Sequence, residues 1–160
     1  MSIRFFLTAI LLLIGSVAAA EPGRVRLSGH GAAGQTGDQS YATLGVGAGV
    51  ELIGGLEAGL DADGWFRKGG NLYTVSPNLR LLIRAPDFTP YLGVFYRHTY
   101  NTGEGKDLDS VGGRAGVSRA IGPHTAAGAG IVYEQQLHCD DTVYSSCTSV
   151  YPEANISVFF

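Results

Sequence analysis

Tyr41-Ala42-Thr43-Leu44-Gly45-Val46-Gly47-Ala48-Gly49-Val50-Glu51-Leu52 changes character at every step. Ala42, Leu44, Val46, Ala48, Val50 and Leu52 share one face, and Tyr41, Thr43, Gly45, Gly47, Gly49 and Glu51 share the other. A period of two belongs to a strand whose faces meet different surroundings. A helix would scatter these residues around its axis and would pay for each interior glycine. The segment is read as a strand.

The same period runs outward in both directions. Leu56, Ala58, Leu60, Ala62 and Phe66 oppose Glu57, Gly59, Asp61, Asp63, Trp65 and Arg67. Near the end, Val150, Pro152, Ala154, Ile156, Val158 and Phe160 oppose Tyr151, Glu153, Asn155, Ser157 and Phe159. Eight such segments are expected, at about 24–34, 41–52, 55–67, 72–84, 89–100, 109–121, 125–138 and 149–160. Three connections are tight: Ile53-Gly54, Ala85-Pro86-Asp87-Phe88 and Gly122-Pro123-His124. Four are longer or more polar: 35–40, 68–71, 101–108 and 139–148. Short turns at one end and long loops at the other are the layout of an outer-membrane barrel. Closure follows, because an open sheet edge in hydrocarbon leaves backbone groups without partners. Strands of this length suffice, since about 9–11 tilted residues cross a bilayer. Pro77 and Pro152 each remove a ladder donor, which predicts a bulge or a strand end at both.

Composition agrees with this reading. Glycine is 24 of 160 residues, only 16% are charged, and the one methionine is Met1. Residues 1–20 read as a secretory signal peptide: Arg4 gives the charge, Phe5 to Ile14 the apolar core, and Ala18-Ala19-Ala20 the cleavage pattern. The barrel domain is then 21–160. The net charge of −3 becomes one unit more negative without Arg4, which argues against nucleic acid as a partner. No window holds 18 consecutive apolar residues, so a helical span is not expected. In an exported chain, Cys139 and Cys147 are expected to form a disulfide.

The two faces carry different chemistry. Small aliphatic residues hold the middle of the apolar face. Phe66, Tyr73, Tyr96 and Tyr133 toward the loops, and Tyr91 and Phe160 toward the turns, read as two interfacial girdles. By phase, Arg24, Arg26, Arg80, Arg84, Arg97 and Arg114 point inward, with Glu51, Glu57, Asp61, Asp63, Glu134 and Glu153. An eight-stranded barrel is only wide enough for side chains to fill. Six bases and six acids there must pair, since an isolated buried charge costs several kcal/mol. The expectation is a plug of paired charge, not a pore.

With its leader, eight dyad-repeat strands, the Phe159-Phe160 ending and segments such as Thr89-Pro90-Tyr91-Leu92-Gly93, the chain resembles the small eight-stranded outer-membrane barrels. That group includes the OmpA transmembrane domain, OmpX/Ail and the opacity-type proteins. The resemblance covers the whole chain after the leader and is architectural, with no motif that selects a subfamily. It implies that Phe160 and the strand before it form the signal read by the barrel-assembly machinery. It implies outer-membrane lipid and lipopolysaccharide as surroundings, a monomer, the outer membrane of a Gram-negative bacterium, and no peptidoglycan-binding domain after strand eight.

Several sharper signals compete with bland ones. Gly29-His30-Gly31-Ala32-Ala33-Gly34 matches G-x-G-x-x-G, but a loop and another strand follow where a dinucleotide site needs a helix. No cofactor is expected. His138-Cys139-Asp140-Asp141 with Cys147 could ligate zinc, yet an oxidising compartment favours the disulfide, and no metal is assigned. His98 lies on the outward phase, where barrel-borne lipid A deacylases carry a His/Ser/Glu triad. Here Tyr100 stands where serine is wanted, no Glu matches on the next strand, and Ser110 and Ser118 point inward. Glu57, Asp61 and Asp63 as paired catalytic carboxylates lose to salt-bridged filling. Asn155-Ile156-Ser157 fits a glycosylation acceptor but lies mid-strand. A soluble lipocalin-like barrel is the rival fold, because alternation alone does not say which face is inside. The reading is a structural, surface-related barrel without catalytic residues; a narrow channel is the alternative, and a lipid A deacylase a weaker one.

Overall fold

The computed structural model describes residues 23–36, 39–67, 72–101, 107–137, 139 and 147–160; the expected leader lies outside them. Eight strands follow in order: β1 (Val25–Thr36), β2 (Gln39–Ile53), β3 (Leu56–Arg67), β4 (Leu72–Leu82), β5 (Thr89–Asn101), β6 (Leu108–Gly122), β7 (Thr125–Gln136) and β8 (Thr148–Phe159). Each pairs antiparallel with the next, and β8 returns to β1, closing an up-and-down barrel. Among the described residues no helix is long and apolar enough to cross a membrane.

Local chemistry places the turns. Gly54 and Gly55 have φ of 64° and 79°, left-handed values that glycine reaches without steric cost, and they reverse the chain between β2 and β3. The registers shift by one residue beside two tight turns, between Glu51 and Ile53 and between Ala120 and Gly122. Such bulges raise the local twist where the strands must turn.

The prolines act differently from expectation. Neither strand ends at its proline, and the registers on either side are unshifted. Instead each proline interrupts one ladder. Backbone hydrogen bonds alternate sides along an antiparallel strand. The Ile83 amide donates to Pro90 O, so odd residues of β4 face β5, and the donor missing at Pro77 faces Tyr96. The β4–β5 ladder accordingly skips Ser76–Arg97 and Pro77–Tyr96 between Val75–His98 and Asn78–Phe95. The Phe160 amide donates to Val25 O, so even residues of β8 face β1. The β1–β8 ladder stops at Gly31–Ala154, just short of the missing donor of Pro152.

The molecule is inside out relative to a water-soluble barrel. Leu44 and Val46 are each 67% exposed, whereas Asp61 and Ser76 are 0% exposed. Phe66, Tyr73, Tyr96 and Tyr133 face outward near the loop end, and Phe160 at the turn end. Tyr91 is a correction: it is buried inside, not in the girdle. Along β5, Tyr91, Gly93, Phe95 and Arg97 share one phase, and Arg97 faces the lumen.

Candidate functional site

The lumen is built in tiers, which β3 spans from the turn end upward. At the bottom, Arg84 at the rim pairs with buried Glu51. Above them, Glu57 receives Nε of Arg26 on both oxygens at 2.9 Å, and Arg26 Nη2 lies 2.8 Å from Oε1. Arg26 also reaches the Ser28 hydroxyl. In the middle tier, Asp61 Oδ2 lies 3.1 Å from Arg114 Nη1 and 3.4 Å from Arg80 Nη2. Arg114 extends to Glu153 at 3.4 Å. Tyr91 fills the adjoining space, donating to Glu153 at 3.5 Å and accepting from Asn155 Nδ2 at 3.2 Å.

The upper tier is a knot around Arg97. Its Nη1 lies 2.5 Å from Glu134 Oε2 and 2.8 Å from the Tyr151 hydroxyl, and its Nε donates to Ser76 at 3.0 Å. Tyr151 and Ser110 both donate to Glu134, at 2.9 and 2.5 Å. Asp63 joins this tier with His30 Nε2 at 2.6 Å, the Thr74 hydroxyl at 3.1 Å and Arg97 at 3.9 Å. Phe95 separates the upper and middle tiers, with Arg97 and Arg114 guanidinium carbons 4.9 and 5.0 Å from its ring centre. Phe95, Val132 and Tyr151 form a buried apolar cluster, against which Trp65 and Ala32 pack.

Ten of the twelve side chains assigned to the lumen are buried: Arg26, Glu51, Glu57, Asp61, Asp63, Arg80, Arg97, Arg114, Glu134 and Glu153. Arg84 reaches the rim, 30% exposed. Arg24 is a correction. Among the described residues it makes no ion pair and instead lies 4.3 Å over the Phe159 ring. The residues missed are His30, Phe95, Tyr91 and Val132, and phase alone marked each of them. Alternation marks the glycines of β2 as a face, and the structure shows that they also supply space. A Cβ on Gly49 would meet Glu57 at 2.7 Å, and one on Gly45 or Gly47 would overlap Asp63 or Asp61. Gly116 and Gly130 leave room for the Tyr91 hydroxyl in the same way.

Other singled-out residues resolve plainly. Gly29–Gly34 lies within β1, with no helix after it. Cys139 and Cys147 are joined, with Cα atoms 5.7 Å apart; His138, Asp140 and Asp141 lie outside the described residues. Among the described residues no group of three His, Cys, Asp or Glu side chains is arranged for a metal. His98 has an orienting partner that only the strand register reveals: its Nδ1 lies 2.7 Å from Asp109 Oδ1, directly across on β6. Tyr96 donates to the same oxygen, and the Tyr100 ring stands edge-on to His98 at 4.5 Å. Ser110 is buried against Glu134, and Ser118 donates to Thr89 O inside the barrel wall. The hydroxyls shown beside the pair are phenolic, those of Tyr96 and Tyr100, where a triad of this kind wants a serine.

No protein-family model and no curated protein matches the chain. Solved structures do. The N-terminal β-barrel domain of Pseudomonas aeruginosa OprF superimposes with a TM-score of 0.66 at 14% identity, over 87% of this chain and 98% of that one. Neisserial surface protein A gives 0.62 at 18% identity, over 89% and 99%. A de novo designed transmembrane β-barrel gives 0.56 at 16% identity, over 88% and 98%. The chain has the fold of the small eight-stranded outer-membrane barrels.

Proposed function

We propose that this chain is a monomeric barrel of the Gram-negative outer membrane, with a surface role, its loops outside the cell and its lumen closed. The observation that carries the closed lumen is the Arg97–Glu134–Tyr151 knot stacked on Phe95, Val132 and Trp65. Ion passage would require separating buried opposite charges, and removing one partner of such a pair costs about 3–5 kcal/mol. The outer surface suits lipid and lipopolysaccharide: apolar in mid-strand and aromatic toward both ends. Phe160 is outward and 71% exposed at the turn end, and in this reading it would carry the signal for the assembly machinery. A leader at residues 1–20 would supply export.

A narrow channel is the second reading, and one observation favours it. Asp61 Oδ1, Asn78 Oδ1 and Arg114 Nε are buried without hydrogen-bond partners, and buried polar atoms of this kind are commonly satisfied by water. Water at those atoms alone would not carry ions past the cluster of Phe95, Val132, Tyr151 and Trp65. A deacylase role is disfavoured because Ser110 and Ser118, the serines nearest His98 among the described residues of β6, bond to Glu134 and to Thr89 O and not to the His98–Asp109 pair. The following measurements decide. The protein should fractionate with the outer membrane and change gel mobility on heating. In planar bilayers it should pass little or no current, and large steady currents would promote the channel reading. Lipid A should have the same mass with and without the protein.

A further inference from the structure

The charges of the lumen do not balance in every tier. The bottom tier sets Arg26 and Arg84 against Glu57 and Glu51, and the middle tier sets Arg80 and Arg114 against Asp61 and Glu153. The upper tier has two carboxylates, Asp63 and Glu134, and one guanidinium, Arg97. His30 is the remaining basic side chain at that level among the described ones. It is 7% exposed, with Nε2 2.6 Å from Asp63 Oδ1. An ionised carboxylate only accepts, so Nε2 carries the hydrogen and donates. The Nδ1 atom is buried without a protein partner, which leaves its lone pair open to the proton that would charge the ring. Charged, His30 makes the upper tier two against two. Neutral, it leaves one buried negative charge in excess.

His30 also stands where the barrel wall is least bonded. The β1–β8 ladder stops at Gly31–Ala154, one position above the His30–Asn155 pair. Beyond it, Ala32 to Thr36 and Thr148 to Glu153 keep their ladders to β2 and β7 but have none to each other. Side chains span the lumen in its place. A Cβ on Gly45 would overlap both His30 and Asp63, so that glycine lets the pair cross β2. Asp63 lies 3.9 Å from Arg97 on β5, and Arg97 reaches the Tyr151 hydroxyl on β8 at 2.8 Å. The bridge starts on β1 and ends on β8.

By contact or register, the charged and titratable groups facing His30 are Asp63 and Asp61 on β3, Arg97 on β5, Glu134 on β7, and Tyr151 and Glu153 on β8. Arg26 lies two inward positions below it on β1, while β2 and β4 present Gly45, Thr74 and Ser76. Asp61, Glu153 and Arg26 already have opposite charges beside them. The charge of His30 therefore acts on Asp63, Arg97 and Glu134.

We propose that His30 is a pH-sensitive latch on the upper β1–β8 seam. With the ring charged, the upper tier balances and β1 is held through Asp63 and Arg97 to β8. With the ring neutral, the excess carboxylate loosens this bridge and the seam opens sideways toward lipid. Histidine is the side chain that ordinarily changes charge between about pH 5 and 8. Stability that depends on a charged histidine is present on the acid side of that range and fades as pH rises through it. The inference rests on the closed, lipid-embedded barrel proposed above and makes its closure conditional on pH.

Trp65, the one tryptophan of the sequence, can report on the latch, because its ring stands edge-on to Tyr151 at 6.1 Å. The test uses the whole protein folded into phosphatidylcholine vesicles whose acyl chains are brominated. From about pH 5 to about pH 8, quenching of Trp65 by the brominated lipid should rise about twofold. His30→Gln should remove the step and quench strongly throughout. His30→Lys, a cation over the whole range, should remove the step and quench weakly. Asp63→Asn balances the tier without His30, so it should also flatten the profile, and it serves if His30→Gln assembles poorly. His98→Gln, on the outer face, should keep the step. A flat wild-type profile, a step that survives His30→Gln, or a step of opposite sign would each overturn the latch. A rise with aqueous acrylamide but not with brominated lipid would put the opening at a mouth of the barrel and overturn the seam. Heat-modified gel mobility of the same samples reports separately on the barrel. Protein without it would overturn the reading on which the latch depends; a heat-modifiable barrel with a flat profile would overturn the latch alone.

Discussion

Asp61 can be wholly buried because Gly47, directly across the ladder, has no side chain to occupy its place. The glycines of β2 and the acids of β3 are one device, in which missing volume on one strand accommodates charge on the next. Gly47→Ala should therefore destabilise by about 1–3 kcal/mol through overpacking. Gly113→Ala, into open space on the outer face, should stay within about 0.5 kcal/mol. Thermal or urea unfolding in detergent measures both, and equal effects would dissociate the glycines from the acids. Arg97→Ala removes the cation that Glu134 and Asp63 share and should cost about 3–5 kcal/mol. Arg97→Lys should recover only part, because an ammonium cannot reproduce the fork held by Glu134, Tyr151 and Ser76. At this scale the sequence was readable wherever phase was followed. Tyr91 went wrong because residue type, an aromatic near a strand end, overrode the phase that Arg97 had already set. Arg24 went wrong because phase tells which way a residue points, not whether an acid is within reach.

Strand limits were legible because turn chemistry brackets them. The sequence sets turns at Ile53-Gly54 and Gly122-Pro123-His124, and the structure has them within one residue, at Gly54-Gly55 and Pro123-His124. The prolines were legible only in part. A missing donor is visible in a sequence, but which neighbour it faces depends on the hydrogen-bonding phase, which only paired strands define. That phase directs the loss at Pro152 to the β1–β8 seam. Pro152→Val should restore a donor opposite Ala33 and lengthen the ladder past Gly31–Ala154. The expected gain is about 0.5–1.5 kcal/mol, typical of one backbone hydrogen bond. Slower amide exchange at Gly31 to Ala33 and a raised urea midpoint are the readouts. An unchanged seam would mean that the upper halves of β1 and β8 are held apart by packing around Tyr151, not by the proline.

At the scale of the whole molecule, alternation left one question that only the arrangement of charge and aromatic rings addresses: which face meets lipid. In the structure, Leu60 stands outward at mid-strand, 52% exposed, across from Ala48 and Pro77. Val158 is outward too, near the turn end of β8. In water the two positions are equivalent, since an exposed arginine is well hydrated at either. In a bilayer they are not, because a cation at the midplane costs about 2–4 kcal/mol and one near the interface about 0–1 kcal/mol. Long side chains close to the interface also carry their charge into the headgroups. Leu60→Arg should thus destabilise the barrel several times more than Val158→Arg when unfolding is measured from lipid vesicles. Leu60→Ala measures the part of the loss that comes from the missing leucine alone, and the remainder is the charge. A depth-independent cost, or two neutral substitutions, would return the chain to the soluble-barrel reading, in which this face is hydrated throughout.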